Sequence, residues 1–310
     1  MAGALRLVPG GLDVIAFGSI YLEVVFGALP ALPGPGEELF TEQFAFSCGG
    51  AISIASAASA VGARAGLATR LGGDLGARLA EEHCARVGVD TSVSRRVAGP
   101  TSGVTVVLNF DEDRSFITHM PRRDDDEPDA TWWGEVVRAR RPRWIYLYAT
   151  GAALGVIEEA HRVGTQVAVD TELGTIGRSP EVVLECAAAS DLFLPTQREL
   201  SSLTGTDDLA RSIAALGAPR STIIVKQGRE GATVARGGRL AHSAAGVRDV
   251  VVQDRTGAGA AFAGALLGSL ALGLDVMAAV EAANTAGSSA VARLGAIGEV
   301  DLSAQKSTLA

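Results

Sequence analysis

Nine consecutive residues, Asp254-Arg255-Thr256-Gly257-Ala258-Gly259-Ala260-Ala261-Phe262, place two glycines at the mouth of a long apolar run. Gly257 and Gly259 allow a tight turn and leave backbone N–H groups bare. The helix expected from about Ala258 to Leu272 points the positive end of its dipole at the same spot. Phosphate is the group such a cradle suits. The bland reading of the same residues is a tight strand-to-helix turn that binds nothing.

Other residue types with chemical capacity lie far away in the chain. Glu23 ends Gly18-Ser19-Ile20-Tyr21-Leu22-Glu23 and is either an exposed carboxylate or a ligand contact. Gly49-Gly50 opens a helix in which Ser53 reads as a capping residue or as a short hydroxyl reader. Thr196 and Glu199, three apart, have the spacing of a capping box, which accounts for both without any ligand. Lys226 and Gly228 fall in a glycine-bearing hairpin turn, Val225 to Gly231, which is a weak signal alone. Cys48 is the one soft nucleophile beside the Gly-Gly pair. No His partner is visible in sequence, so a buried, inert thiol is expected.

These residues need a scaffold, and the chain alternates short β-branched or aromatic runs with Ala-rich segments. Strands are expected at 14–17, 144–147, 166–169, 192–194, 222–225 and 232–235. Helices are expected at 52–61, 75–87, 153–163, 181–189, 207–216, 258–272 and 276–293. Such alternation predicts an α/β three-layer sandwich around a mainly parallel sheet, with ligands at the carboxyl ends of its strands. Two segments interrupt it. Residues 21–47 are rich in Pro and Gly, and 100–120 alternate like a hairpin about Asp111–Arg114. Together they predict a small β-stranded lid inserted in a domain spanning 12–300, positioned to exclude water or to form a dimer surface. The charged run Arg122–Asp129 reads as a solvated loop.

With 310 residues, 47% of them hydrophobic, the chain can bury a sizeable core. A net charge of −8 argues against a nucleic-acid partner. Three widely spaced cysteines suggest free thiols in a reducing cytoplasm, not a disulfide framework or zinc site. No stretch reads as a signal peptide or a membrane span.

The nine-residue stretch resembles the signature of ribokinase-like (PfkB) carbohydrate kinases, Asp-Thr-Thr-Gly-Ala-Gly-Asp-Ala-Phe, at seven of nine positions. The other landmarks follow in the family's order from about Asp13 to Gly295. The resemblance implies ATP and Mg2+ as cofactors, with a monovalent cation beside the cradle, and a sugar or nucleoside as acceptor. It also implies a homodimer formed through the lid. By position it assigns Gly257, Ala258, Gly259 and Ala260 to the catalytic segment, and Glu23, Gly49, Gly50 and Ser53 to the substrate. Thr196, Lys226, Gly228, Thr256 and Asn284 fall to the nucleotide. Glu199 falls to the magnesium shell and Asp254 to the monovalent cation.

Three positions depart from that pattern: Ser53 and Thr196 stand where the family has Asn, and Ala260 where it has the catalytic Asp. A single engineered change explains Ala260 alone, whereas natural divergence explains all three. Loss of a general base costs about 10²–10⁴-fold. Glu23 and Asp170 are acids that folding could return to the site. Three functions follow: a weak or disarmed kinase, a non-catalytic sugar or nucleoside sensor, and a different chemistry on the same scaffold.

Overall fold

A computed structural model describes residues 11–110, 113–121, 129–217, 220–247, 249–298 and 300. Its centre is an eight-stranded sheet in the order Arg239–Ala244, Ala232–Arg236, Thr222–Lys226, Leu192–Phe193, Gln166–Asp170, Trp144–Tyr148, Val14–Phe17, Ala65–Ala68. The last six are parallel; the first two add an antiparallel hairpin at one edge. The expected α/β sandwich is therefore present.

Alternate residues of each strand feed two separate cores, as the two-residue strand period requires. Val14, Ala16, Tyr146, Ala168 and Ile224 pack with helices Ala51–Ala60, Leu75–Val87, Ala258–Ala271 and Val276–Ala290. Ile15, Phe17, Ile145, Val167 and Val225 pack with helices Asp129–Arg140, Gly151–Arg162, Pro180–Ala189 and Leu209–Ala215 on the other face. The edge strand Ala65–Ala68 was not expected, because Ala-Gly-Leu-Ala carries no strand signal of its own. Its pairing with Val14–Phe17 supplies the reason it is extended. Helix Asp129–Arg140 is a further addition; the rest of the charged run, 122–128, lies outside the described residues.

The lid is a four-stranded sheet in the order Gln43–Gly50, Ile20–Leu29, Gly103–Phe110, Arg114–His119. Its outer pairs are antiparallel and its central pair parallel, so it is mixed, not a pure hairpin. Residues 111 and 112 of the expected turn lie outside the described residues. The register sets Glu23 opposite Ser47 and Thr105, and Val25 opposite Ala45 and Val107. Val25, Ala45 and Val107 close over Leu294, which puts Glu23 on the inward face.

The Ala258–Ala271 helix is apolar all round, so it is buried between helices Ala51–Ala60 and Val276–Ala290. Its glycines permit the contact. A side chain at Gly264 would run into the Ile54 carbonyl, and one at Gly268 would begin 2.5 Å from Val61 Cγ2. We expect Gly264→Ala to destabilise the protein by about 1–3 kcal/mol in urea denaturation. Gly155→Ala, on an exposed helix position with open space around it, should instead stabilise by about 0.5–1 kcal/mol.

Candidate active site

Gly257 is the N-cap of the Ala258–Ala271 helix and adopts φ 80°, a left-handed conformation that favours glycine. A side chain there would begin 2.5 Å from Ala296 Cα, so the same glycine permits close packing of a second loop. Ala261 N bonds back to Gly257 O. Gly259 and Ala260 lie in the first turn, where helix geometry provides their N–H groups with no intrahelical acceptor. The tight glycine turn into a long apolar helix expected from the sequence is present. Ala260 itself is partly buried and packs its methyl against the apolar core.

Asp254, 1% exposed, fixes the cradle. Its Oδ1 accepts from Thr256 N at 2.7 Å and its Oδ2 from Gly295 N at 2.8 Å. The next residue, Ala296, donates its N–H to Glu23 Oε2 at 3.0 Å. The loop 295–298 is also stitched to the lid by Ser47, whose Oγ donates to Gly298 O at 2.9 Å and accepts from Ile297 N at 3.3 Å. No sequence reasoning assigned this loop a role. The two glycines of Gly295-Ala-Ile-Gly298 were the available signal.

Glu23 is 6% exposed, not the exposed carboxylate of the bland reading. A side chain at Gly49 would begin 2.8 Å from Glu23 Cδ, so the carboxylate lies directly over that glycine. Burial pushes its carboxyl up to about 7, with the Asp254 charge adding to the rise and the Ala296 N–H and Arg114 opposing it. Gly50, at φ 82°, caps the Ala51–Ala60 helix; a side chain there would begin 2.9 Å from Tyr21 Cδ2. Ser53 therefore does not cap the helix. It lies on the first turn, 4% exposed, and its Oγ has no hydrogen-bond partner among the described residues. Thr256 Oγ1 is in the same condition.

A second cluster reaches the cradle from the carboxyl ends of the central strands. Lys226 Nζ bonds Asp170 Oδ2 at 2.6 Å in a pair whose side chains are 11% and 5% exposed. Tyr146 OH donates to the same oxygen at 3.2 Å. A side chain at Gly259 would begin 3.7 Å from Lys226 Nζ, so this ammonium faces the cradle. Thr196 and Glu199 form the expected capping box: Thr196 N donates to Glu199 Oε2 at 2.7 Å, and Glu199 N to Thr196 Oγ1 at 3.2 Å. Burial raises the Glu199 carboxyl, and neighbouring Asp170 raises it further while Lys226 opposes. The Asp170–Lys226 pair was missed as a unit, although Asp170 ends a buried strand at the sheet edge where ligands bind.

Gly228 begins the short turn Gly228–Glu230, as the hairpin reading foresaw. Asn284 Nδ2 donates to Ala244 O and Ala245 O at 3.3 and 3.1 Å, so its amide pins the segment leaving the edge strand. Burial pushes the Cys48 thiol up to about 12, which removes it as a nucleophile at neutral pH and with it the thiol chemistry considered above. Among the described residues no group of three His, Cys, Asp or Glu is placed to hold a metal ion. None of their helices is long and apolar enough to cross a membrane.

The sequence and the fold are similar to those of known proteins. The chain is 30% identical over 240 residues to a fructokinase of Klebsiella pneumoniae, covering 72% of this chain and 76% of that one. An E. coli protein solved with ATP and Mg2+ superposes at TM-score 0.77, 19% identity, covering 94% of this chain and 96% of that one. Arabidopsis thaliana ribokinase complexed with ribose and ATP does so at 0.73, 21% identity, covering 93% and 95%. A Burkholderia thailandensis nucleoside kinase complexed with inosine does so at 0.74, 17% identity, covering 93% of each chain. Residues 35–302 match the family model described as pfkB family carbohydrate kinase, and the chain belongs to that family.

Proposed function

We propose that this protein transfers the γ-phosphoryl group of ATP to a hydroxyl of a sugar or nucleoside, at a rate held down by Ala260. The observation that carries the reading is the cradle itself: first-turn N–H groups of a buried helix with the Lys226 ammonium beside Gly259. Catalysis of phosphoryl transfer is mostly positioning and charge stabilisation, and these groups supply the charge stabilisation. Glu23, Gly49, Gly50 and Ser53 form the acceptor side, where the unpaired Ser53 hydroxyl is a ready partner for a ligand hydroxyl. Thr196, Lys226, Gly228, Thr256 and Asn284 form the nucleotide side, Asn284 by holding the backbone at 244–245.

Magnesium fits as a partner of the nucleotide, since Mg2+ usually keeps its waters and takes one or two carboxylates plus substrate phosphates. Glu199, whose carboxyl is raised by burial, is the side chain offered to it. Each Asp254 oxygen accepts one N–H and keeps further lone pairs, which a monovalent cation would use. The buried free thiols Cys48, Cys84 and Cys186 suit a reducing cytoplasm.

A second reading, a sensor that binds without turnover, draws on the methyl of Ala260. Mass spectrometry separates the two. We expect phosphorylated product from the protein incubated with Mg-ATP and ribose, fructose or inosine, and faster formation by Ala260→Asp, the gain bounded by the 10²–10⁴-fold a general base contributes. Binding without product in both forms would favour the sensor. Lys226→Met should lower turnover by about 10²–10³-fold, with acceptor affinity by calorimetry unchanged; an unchanged rate would remove Lys226 from the phosphate site.

The outer lid face exposes Phe44, Val104 and Ile117, 46%, 40% and 66% accessible, next to Phe26 and Val106 on the same face. A second copy would cover it, giving a homodimer through the lid. Sedimentation should show a dimer that Ile117→Lys converts to monomer; a monomeric parent protein would rule this out.

A further inference from the structure

We propose that Glu23 on the lid accepts the proton of the attacking hydroxyl, in place of the carboxylate missing at Ala260. The proposal rests on the phosphoryl-transfer reading above and names the residue that makes turnover feasible without Asp at 260.

Elimination among the buried carboxylates around the cradle leads to it. Asp254 already holds Thr256 N and Gly295 N, one on each oxygen. Asp170 takes Lys226 Nζ and Tyr146 OH on Oδ2 and Thr171 N on Oδ1, and its charge is matched by the ammonium. Glu199 has its Oε2 in the capping box and lies on the nucleotide side, beside Asp170 and Lys226. Glu23 has one oxygen engaged, Oε2 with Ala296 N, and its carboxylate lies over Gly49 of the Gly-Gly pair. Ala296 in turn packs on Gly257, so the fixed oxygen of Glu23 is anchored to the loop that backs the cradle. The hydrogen bond to Oε2 holds the side chain still and leaves Oε1 to receive a proton. The missing side chain at Gly49 is what gives the Glu23 carboxylate its place in the site.

The surroundings tune this group for the task. Burial and the Asp254 charge push the Glu23 carboxyl up to about 7, while Arg114 on the lid strand Arg114–His119 and the Ala296 N–H oppose that rise. Cys48, on the neighbouring lid strand, is neutral at that pH. A base whose proton affinity lies near the working pH is the most effective kind. In the reaction, the acceptor O–H bond breaks and its proton passes to Glu23 Oε1. A new O–P bond forms at the γ-phosphorus of the nucleoside triphosphate. The bond from that phosphorus to the bridging oxygen breaks, and the diphosphate leaves with the electron pair. Glu23 then returns the proton to solvent.

The test compares the parent protein, Glu23→Gln, Ala260→Asp and the double variant, with Mg-ATP and ribose, fructose or inosine. Gln keeps the length of the side chain and an acceptor for Ala296 N. Glu23→Gln should lower kcat by about 10²–10⁴-fold, a larger factor than any change in acceptor affinity read by calorimetry. Ala260→Asp should restore turnover to Glu23→Gln, which a merely structural or binding role for Glu23 would not permit. Without any change at Glu23, the parent's kcat/KM should fall as pH drops through about 7, and Ala260→Asp should move that acid limb to lower pH. Turnover in the parent that is unaffected by Glu23→Gln, or that has no acid limb near neutrality, overturns the proposal. Product only after Ala260→Asp overturns it too while leaving the phosphoryl-transfer reading intact. Product in no form overturns both.

Discussion

Asp254 joins two backbone segments, Thr256 at the cradle and Gly295, 41 residues beyond Asp254, in the loop behind it. Everything else in the site hangs on that join. If the carboxylate released Gly295 N, the loop 295–298 would lose its register on Gly257. The lid would then lose the two grips it has on that loop, Glu23 on Ala296 and Ser47 on Ile297 and Gly298. A buried carboxylate accepting two charge-assisted N–H bonds is stable where an unpaired one is not. The fold thus uses a buried carboxylate to link the cradle to the loop that the lid holds.

The same economy of charge appears on the other side of the cradle. Lys226 is held by Asp170 while its ammonium also faces Gly259. Parallel strands bring the two together because Asp170 and Lys226 both end strands at the same sheet edge. The Asp170 carboxylate supplies the opposite charge that a buried ammonium needs. Cation and N–H groups therefore converge on one spot, while each buried carboxylate around it accepts at least one donor.

Much of the scaffold was legible from residue patterns. Val14–Phe17 and Leu75–Val87 fall at the expected boundaries, because a continuous apolar run and an Asp-capped amphipathic helix are strong local signals. The cradle was legible for the same reason: Gly257, Gly259 and an apolar helix are local facts. Ala65–Ala68 and Arg239–Ala244 were not, since their extended form comes from partners across the sheet. Between the two readings of Ser53, cap or hydroxyl reader, residue patterns could not choose, because the choice depends on which residue takes the cap position, and Gly50 takes it. Thr196 and Glu199 were read well as a cap, since that motif closes within four residues.

What the amino-acid sequence determined by itself was local and periodic: the alternation of strands and helices, the glycine cradle, the absence of a carboxylate at Ala260, and through its motifs the family. Only the tertiary structure decided how distant polar groups pair. Glu23 meets Ala296, 273 positions away, and Asp170 meets Lys226 across 56. Those contacts set which donor each buried carboxylate oxygen accepts. The reason is physical. Turn and helix chemistry acts within a few residues, but burial and charge pairing depend on distance in space, which a one-dimensional pattern does not contain.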